Sequence, residues 1–417
     1  MLGGTGYIGQ HLLEALLREG YRVTCGVHAS TLLTSCAAVA VDYSKDHAER
    51  DWLPRLAGVD VVINCVGILR ETESATFDAL HIAAPGALFR AAFHSGVKKV
   101  IQVSALGADG GAQSGYHRSK KAGDDALAAL DIPWVIVQPS LIFGPGGASA
   151  RLFSALAALP LIPLPGHGEQ RVQPVRIDDV VEAIVRLMET DSHDRQRVAA
   201  VGAKPVTLRE FLSALRQRMK LGRPRFVPIP MGLVRIAAAV GDRFARSLLD
   251  RESLGMLVRG NVASAAAITS VLGREPAEIE SFITPAHART AAHDAKLAWL
   301  LPLLRLSVAL VWIVTGILSL GVYPLDASYA LLERVGLTGV PATAALYSAG
   351  VLDLALGVAT LLPGRRRWLW RAQIALIAGY SAIITVFLPE YWLHPFGPLT
   401  KNLPMIAAIL TLHELEA

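Results

Sequence analysis

A tyrosine and a lysine stand four residues apart in the segment YHRSK, at the expected start of a helix. Tyr116 and Lys120 would therefore project from the same helix face. A phenol can pass a proton to or from a carbonyl or an alcohol if a nearby ammonium lowers the pKa of the phenol. The same ammonium can bond the nicotinamide ribose, so Lys120 is also a predicted cofactor-binding residue. Because this spacing is common by chance, the pair predicts catalysis only in company with other motifs.

A substrate oxygen would need a hydroxyl beside that phenol. Ser104 follows a β-branched run and is our first choice for this role, which makes Tyr116, Lys120 and Ser104 the predicted catalytic residues. Ser114 lies nearer the tyrosine in sequence and is the competing candidate.

The segment GGTGYIG opens the chain and precedes the apolar helical pattern QHLLEALLREG. Glycines at these spacings allow a tight turn, a close approach of the backbone to a diphosphate, and close packing of a helix on a sheet. The helix start would supply N–H donors to the phosphates. Gly-rich turns are common, so this motif also needs its context. The predicted cofactor residues of the turn are Gly3, Thr5, Gly6, Tyr7, Ile8 and Gly9.

Two further positions bear on which dinucleotide would bind. His28 directly follows the predicted strand RVTCGV, the second strand if a truncated one precedes it. NAD sites usually carry Asp or Glu at this position, and NADP sites often carry Arg. A neutral histidine accommodates either cofactor, and the missing carboxylate slightly favours NADP over NAD. Asp42 would either face the adenine or cap the next helix, with equal weight.

Asn64 and Gly67 follow the next predicted strand, where the backbone must pass close to a cofactor. Cys65 between them is assigned to packing. The three cysteines, Cys25, Cys36 and Cys65, have neither metal-ligand nor paired spacing, which indicates a reducing compartment and no metal site.

The elements that would position these residues alternate between short β-branched strands and helical patterns. The strand candidates are RVTCGV, AAVAVD, DVVINCVG, VKKVIQVSA and IPWVIVQPS, and helices are predicted over residues 11–18, 77–94 and 117–130. This alternation predicts an α/β fold with a doubly wound parallel sheet over residues 1–205. Only two residues remain to form the first strand, so we expect that strand to be truncated and the true start to lie several residues earlier.

Residues 206–290 are more helical and more charged, and we expect a small substrate-side lobe there. The last part, residues 297–417, carries long uncharged stretches of about the length needed to cross a bilayer. The expected spans are 306–325, 335–364 and 372–389, with a marginal fourth at 403–412. The alternative, four buried helices of a soluble domain, fits these lengths less well.

The bilayer is therefore an expected partner, in agreement with an apolar content of 52%. Four arginines between the second and third spans, at 365, 366, 367 and 371, place that loop in the cytoplasm by the positive-inside rule. We expect a multi-pass protein of the cell (inner) membrane whose first domain lies on the cytoplasmic side. Lys and Arg are scattered without interleaved aromatics, which argues against nucleic acid.

Asp353 lies in the middle of the second expected span. A carboxylate there is costly unless it faces the helix bundle, so we expect it to point toward Thr315 or Tyr380. A proton-relay or quinone-site role and a purely structural role are equally weighted.

Several motifs in order resemble a known family. GGTGYIG, DVVINCVGIL, VSALGAD, YHRSKKAGDDAL, QPSLIFGPG and VQPVRIDDVVEAI resemble the extended and atypical short-chain dehydrogenase/reductases, in the branch related to the NAD(P)H-binding accessory subunit of respiratory complex I. The resemblance implies that Tyr116 and Lys120 are the catalytic pair, and that Pro139 and Ser140 flank the nicotinamide. VSALGAD lacks the family's serine-rich run. The C-terminal WLHPFGPLTKNLPMIAAIL is similar to DoxX-like membrane domains.

Three functional hypotheses follow. The first is a membrane-anchored NAD(P)(H)-dependent oxidoreductase or epimerase-like enzyme acting on a small, apolar carbonyl or alcohol. The second is a non-catalytic dinucleotide-binding module that stabilises or senses a membrane redox complex, which the missing serine run favours. The third is a redox helper that passes electrons to a quinone.

Overall fold

The structure, a computed structural model, describes residues 1–28, 36–243, 250–364 and 366–416. These residues form two compact units, Met1–Ala295 and Lys296–Ala417, which are treated separately below.

A parallel sheet forms the centre of the first unit, and three short strand pairs extend it. The strands are β1 (Thr24–Val27), β2 (Ala37–Ala40), β3 (Val61–Asn64), β4 (Lys99–Val103), β5 (Trp134–Pro139), β6 (Ile142–Phe143), β7 (Ile162–Pro165), β8 (Arg171–Val172), β9 (Val175–Arg176), β10 (Gln196–Ala200), β11 (Val206–Thr207) and β12 (Phe226–Ile229). All five strands expected from the sequence form, each somewhat shorter than its apolar run.

The main sheet has the order β10-β5-β4-β3 on one side and β1-β2 on the other. Leu2 joins the two halves of the sheet, since it forms one parallel bridge to Gly26 and another to Asn64. The Leu2 amide donates to the Ile63 carbonyl at 2.8 Å, and the Leu2 carbonyl accepts from the Cys65 amide at 3.0 Å. One buried residue thus occupies the place of the expected short first strand.

Helices cover both faces of this sheet, as a doubly wound fold requires. The helices of the first unit are α1 (Tyr7–Arg18), α2 (Glu49–Trp52), α3 (Ala84–His94), α4 (Gly115–Ala128), α5 (Ala148–Ala158), α6 (Ile177–Glu189), α7 (Leu208–Arg218), α8 (Met231–Gly241), α9 (Arg251–Arg259) and α10 (Ala266–Leu272). Side chains of α1, α6 and α10 fill the core on one face, and side chains of α2, α3 and α4 fill the core on the other.

The helix expected over 77–94 is divided. A π-helical turn, Asp78–Ala83, precedes α3, and Pro85 lies in the first turn of α3. Proline lacks an N–H and displaces the preceding turn, so the wider π turn forms before it.

The substrate-side lobe draws on two stretches of chain. Strand β7 pairs with β12, β8 pairs with β11, and α5 packs against α7 in a separate apolar core. The lobe therefore includes residues before 206, and it contains short strands beside the expected helices.

The second unit is helical. Its helices are α11 (Ala288–Ile317, which begins in the first unit), α12 (Leu325–Arg334), α13 (Gly339–Leu361), α14 (Arg367–Phe387) and α15 (Asn402–Leu415). Within the described residues, three helical stretches are long and apolar enough to cross a membrane: Ala288–Val322, Gly339–Leu361 and Arg367–Phe387. Helix α15 has 14 residues and falls short of that length. Arg365, one of the four loop arginines, lies outside the described residues.

Candidate active site

The glycine turn is shaped by close backbone contacts. Gly3 has a positive φ of 75°, and a Cβ on it would lie 2.9 Å from the Cys65 carbonyl carbon. A Cβ on Gly9 would lie 2.0 Å from the Gly3 carbonyl oxygen. Only glycine fits at either position, so the turn and the start of α1 are pressed against the segment that follows β3.

One side of the glycine turn is exposed to solvent. Thr5 and Gly6 are exposed, and Gly6 is the N-cap of α1 without a side chain to cap the helix. The first turn of α1 also carries no acidic residue. Uncapped N–H groups and the positive end of the helix dipole suit an anion, so these residues fit the diphosphate of a dinucleotide.

Tyr7 and Ile8 face inward from the same turn. Ile8 packs against the sheet core. The Tyr7 ring packs so closely on the segment after β6 that a Cβ on Gly144 would lie 2.6 Å from the hydroxyl oxygen. Burial raises the pKa of Tyr7 to about 12, and its hydroxyl has no hydrogen-bond partner among the described residues.

Helix α4 presents three polar side chains one turn apart, Tyr116, Lys120 and Asp124. The Lys120 ammonium donates to the carbonyls of Val66 and Val103, each at 3.1 Å. These carbonyls follow β3 and end β4, so Lys120 ties the helix to the edge of the sheet next to the glycine turn. Burial lowers the pKa of Lys120 to about 8.

Ser104 is buried and donates to the Asp124 carboxylate at 2.5 Å. Burial raises the pKa of Asp124 to about 6, although Ser104 and Lys120 both favour its ionised form. Ser114, the competing candidate, accepts from the His117 amide as the N-cap of α4. Of the two serines, only Ser104 contacts the polar face of α4 through its side chain.

Tyr116 is half-buried, and its ring lies among Phe77, His81 and His117 at centroid distances of 5.3–6.3 Å. Burial raises the pKa of Tyr116 to about 12, and the Asp124 charge adds to the rise. The expectation that Lys120 lowers this pKa is therefore wrong for the structure as it stands. The lysine binds carbonyl oxygens, and loss of solvent around the phenol raises the pKa of Tyr116.

His81 supports the site from the π-helical turn, and sequence reasoning missed it. Its Nε2 accepts from the Ile68 amide at 3.0 Å, so Nδ1 carries the proton and donates to Ser119 Oγ at 2.8 Å. Ser119 in turn donates to the Tyr116 carbonyl at 2.9 Å. Burial lowers the pKa of His81 to about 3, which keeps the ring neutral. No sequence spacing links residue 81 to residue 119.

The residues predicted near the adenosine have different surroundings. His28 is exposed directly after β1. Asp42 accepts from the Ser44 amide at 3.0 Å and pairs with Lys45, so it closes a local turn and does not cap the next helix, α2, whose N-cap is Ala48. Asn64 is fully buried, where it donates to Gln102 at 2.8 Å. The Asn64 side-chain amide therefore links β3 to β4, and the approach of its backbone to a cofactor stays a prediction.

The last predicted cofactor residues lie where β3 and β5 end. Gly67 is exposed, and a Cβ on it would lie 2.7 Å from the Lys120 ammonium. Pro139 accepts from the Leu106 amide at 2.9 Å, and Ser140 is buried and donates to the Gln173 carbonyl. The Ser140 hydroxyl thus holds the loop beyond β8.

Helix α9 crosses the loops beside this site, and sequence reasoning missed it as well. Its N-cap Asp250 pairs with Arg70, in the loop after β3. Glu252 accepts from the Gly115 amide at 2.7 Å, at the start of α4. Arg259 pairs with Asp109, in the loop after β4, at 2.6 Å. A single short helix therefore holds three segments around the Tyr116 face.

In the second unit, Asp353 is buried and accepts from the Tyr380 hydroxyl at 3.4 Å. The expectation that Asp353 faces the bundle and meets Tyr380 is confirmed. Thr315 instead donates to the Val311 carbonyl of its own helix at 2.8 Å. The functional role of Asp353 stays a prediction.

Two protein families match this chain. Residues 1–202 match the NAD dependent epimerase/dehydratase family. Residues 309–410 match the DoxX-like family.

Curated relatives are similar to the first part of the chain. The alpha subcomplex subunit 9 of mitochondrial NADH dehydrogenase [ubiquinone] 1 from Arabidopsis thaliana is 28% identical, over 58% of this chain and 62% of that protein. A ceramide reductase from Caulobacter vibrioides is 27% identical, over 58% of this chain and 77% of that protein. The chain thus spans about three-fifths of the first relative's length.

Solved structures share the fold of the first unit. A nucleoside-diphosphate-sugar epimerase from Staphylococcus aureus superposes with a TM-score of 0.56, at 16% identity, over 68% of this chain and 98% of that one. The UDP-glucuronic acid 4-epimerase from Bacillus cereus, solved with UDP-glucuronic acid and NAD, gives 0.51 at 18% identity, over 72% and 98%.

Proposed function

Since the chain joins an NAD-dependent epimerase/dehydratase-family domain to a DoxX-like membrane domain, we propose that it is a membrane-anchored NAD(P)(H)-dependent oxidoreductase. Its substrate is an apolar carbonyl compound or alcohol. The first unit lies on the cytoplasmic side of the cell membrane, as the arginines between the second and third spans favour.

One observation carries this proposal: the glycine turn and the polar face of α4 meet on the same stretch of backbone. A Cβ on Gly3 would touch Cys65 at 2.9 Å, and the Lys120 ammonium binds the carbonyl of Val66, the next residue. A dinucleotide with its diphosphate on the turn would therefore extend toward the Tyr116 side chain.

The residues divide the chemistry between them. The nicotinamide supplies or accepts the hydride when it is bound. Tyr116 exchanges the accompanying proton with the substrate oxygen, and Lys120 supplies positive charge one helical turn away. For this step the pKa of Tyr116 must fall from about 12. Ser104 orients the substrate oxygen once its hydroxyl turns from Asp124.

The apolar substrate class is inferred from two features. A ceramide reductase is among the relatives, and the chain carries three helices long enough to span a membrane within its described part. An enzyme anchored in the bilayer meets bilayer-resident carbonyl compounds at high local concentration.

The proposal is tested with Tyr116→Phe in the full-length, detergent-solubilised chain. NADH and NADPH oxidation are followed with a panel of long-chain ketones and aldehydes, and cofactor affinity is measured by titration. We expect turnover to fall at least about a hundredfold, since removal of a general acid typically costs that much, with cofactor affinity nearly unchanged. The control is Tyr21→Phe. Tyr21 follows the C-terminal end of α1 and its hydroxyl donates to Glu189, so loss of this hydroxyl should leave turnover intact. Unchanged turnover in Tyr116→Phe would exclude the catalytic assignment.

A non-catalytic binding module is the second candidate. The raised pKa of Tyr116 and the bond from Ser104 to Asp124 favour it, because the phenol holds its proton tightly and the serine hydroxyl already has a partner. A relative that is a subunit of NADH dehydrogenase also supports this function. Tight NADPH binding, no turnover of the panel and co-purification with membrane partners would decide for it. NAD(P)H oxidation that requires added quinone would instead indicate a redox helper.

A further inference from the structure

Helix α8 exposes a row of large apolar side chains. Leu233, Ile236 and Val240 recur at helical spacing, and they are 58%, 62% and 47% exposed. The opposite side of α8 is buried, where Val234 and Ala238 pack against Leu254 of α9. The helix is therefore fixed on the first unit with its apolar row turned outward.

The strand before α8 also carries exposed apolar side chains. Val227 and Pro228 of β12 are exposed, and so are Leu161 and Pro163 beside them on and next to β7, with Val227 paired to Pro163. Isolated exposed apolar residues are ordinary, but several large ones in a row on one helix mark a contact with a partner or a membrane.

The stretch of chain that contains the apolar row is rich in cations. The sequence from 211 to 241 contains six Lys and Arg residues and no Asp or Glu. Four of these cations are exposed: Lys220, Arg223, Arg225 and Arg235. Within the described ranges, none of the four forms an ion pair, although many other exposed arginines do. An apolar row beside unpaired cations suits an anionic lipid surface, where apolar side chains enter the acyl boundary and cations meet headgroups.

We propose that residues 220–241 form a docking surface for an anionic lipid bilayer. The same chain carries three candidate membrane spans among its described residues, so a bilayer is an expected partner of the protein. Helix α8 has 11 residues, about 16 Å in length, which is too short to span and long enough to lie in the interface. This inference does not depend on the proposed enzymatic activity.

The test uses the full-length chain in nanodiscs of phosphatidylcholine alone or mixed with phosphatidylglycerol. A polarity-sensitive fluorophore is attached to Ile236→Cys, and nitroxide-labelled lipids serve as quenchers. Phe93→Cys, an exposed apolar position on α3, is the matched control. Labelling of the unsubstituted chain gives the background from the three native cysteines.

We expect lipid quenching at position 236 and not at position 93, with stronger quenching in the anionic discs. Arg223→Gln, Arg225→Gln and Arg235→Gln together should weaken docking about fivefold for each charge removed. The same change at Arg22, Arg50 and Arg90, which are exposed elsewhere on the first unit, should have no effect.

A second set of variants separates docking from folding. Leu233→Ser with Val240→Ser changes only exposed side chains, and it should reduce quenching at position 236 while the thermal unfolding of the first unit is retained. Equal quenching at positions 236 and 93 would overturn the proposal. The proposal would also be overturned if the signal at position 236 did not depend on lipid composition and appeared only with two chains per disc. That result would assign the surface to a second copy of the chain.

Discussion

The two halves of the candidate site are built by different means. The cofactor half depends on close contacts between backbone segments, since Gly9 lies against Gly3 where no side chain fits. The catalytic half depends on buried polar side chains, in which Lys120 and Asp124 hold the ends of β3 and β4. The first half is therefore sensitive to added volume, and the second is sensitive to charge and pH.

The largest effect is expected from Gly9→Ala in the cofactor half. The new Cβ would lie 2.0 Å from the Gly3 carbonyl oxygen, so the turn must move. Backbone displacement of this kind costs about 3 kcal/mol or more, which corresponds to at least about a hundredfold loss of NAD(P)H affinity. Isothermal titration measures this affinity. Gly255→Ala, in α9 with nothing near its Cβ, is the control and should bind normally. Normal binding by Gly9→Ala would remove the contrast between the halves.

The next effect is a pH dependence in the catalytic half. Burial raises the pKa of Asp124 from 3.8 to about 6, so the folded state holds this proton more tightly than the unfolded state. Stability should therefore fall as pH rises from about 4 to about 6, by about 3 kcal/mol, and stay level above that. Asp124→Asn should lack this component. The measurement is the difference in unfolding of the first unit between the two proteins across this range. If the stability of both proteins changed with pH in the same way, the assignment of this pH dependence to Asp124 would be contradicted.

The smallest effect is expected where the two halves meet. In Gly67→Ala the Cβ would lie 2.7 Å from the Lys120 ammonium, which can move because it ends a flexible side chain. Loss of the bond to Val66 would cost about 1 kcal/mol, or about fivefold in turnover, with a smaller change in cofactor affinity. Gly110→Ala, an open position, serves as the control in the same steady-state assay. A larger loss of affinity than of turnover would assign Gly67 to the cofactor half.

The cofactor half was predictable from sequence because its contacts are local. The turn, the helix start and the close approach of Gly9 to Gly3 fall within seven residues, so the glycine spacing and the helical pattern that follows it indicate them. The sheet followed from β-branched runs, and the membrane helices followed from the lengths of uncharged stretches.

The catalytic half was only partly predictable. Spacing placed Tyr116 and Lys120 on one face, but the bond from Ser104 to Asp124 joins a strand to a helix 20 residues away. The raised pKa of Tyr116 depends on burial by residues from other elements. The bond from Asn64 to Gln102 could not be foreseen, because the two residues become adjacent only when β3 and β4 pair.

Helix α9 touches the loops around the Tyr116 face through Asp250, Glu252 and Arg259. None of these three residues belongs to the group formed by Tyr116, Lys120 and Asp124. Changes in α9 can therefore alter which molecules reach the phenol without altering the acid–base groups themselves. The residues that brace these loops lie more than a hundred residues beyond Tyr116 in the chain, so they can be substituted while the residues of the α4 polar face are left unchanged.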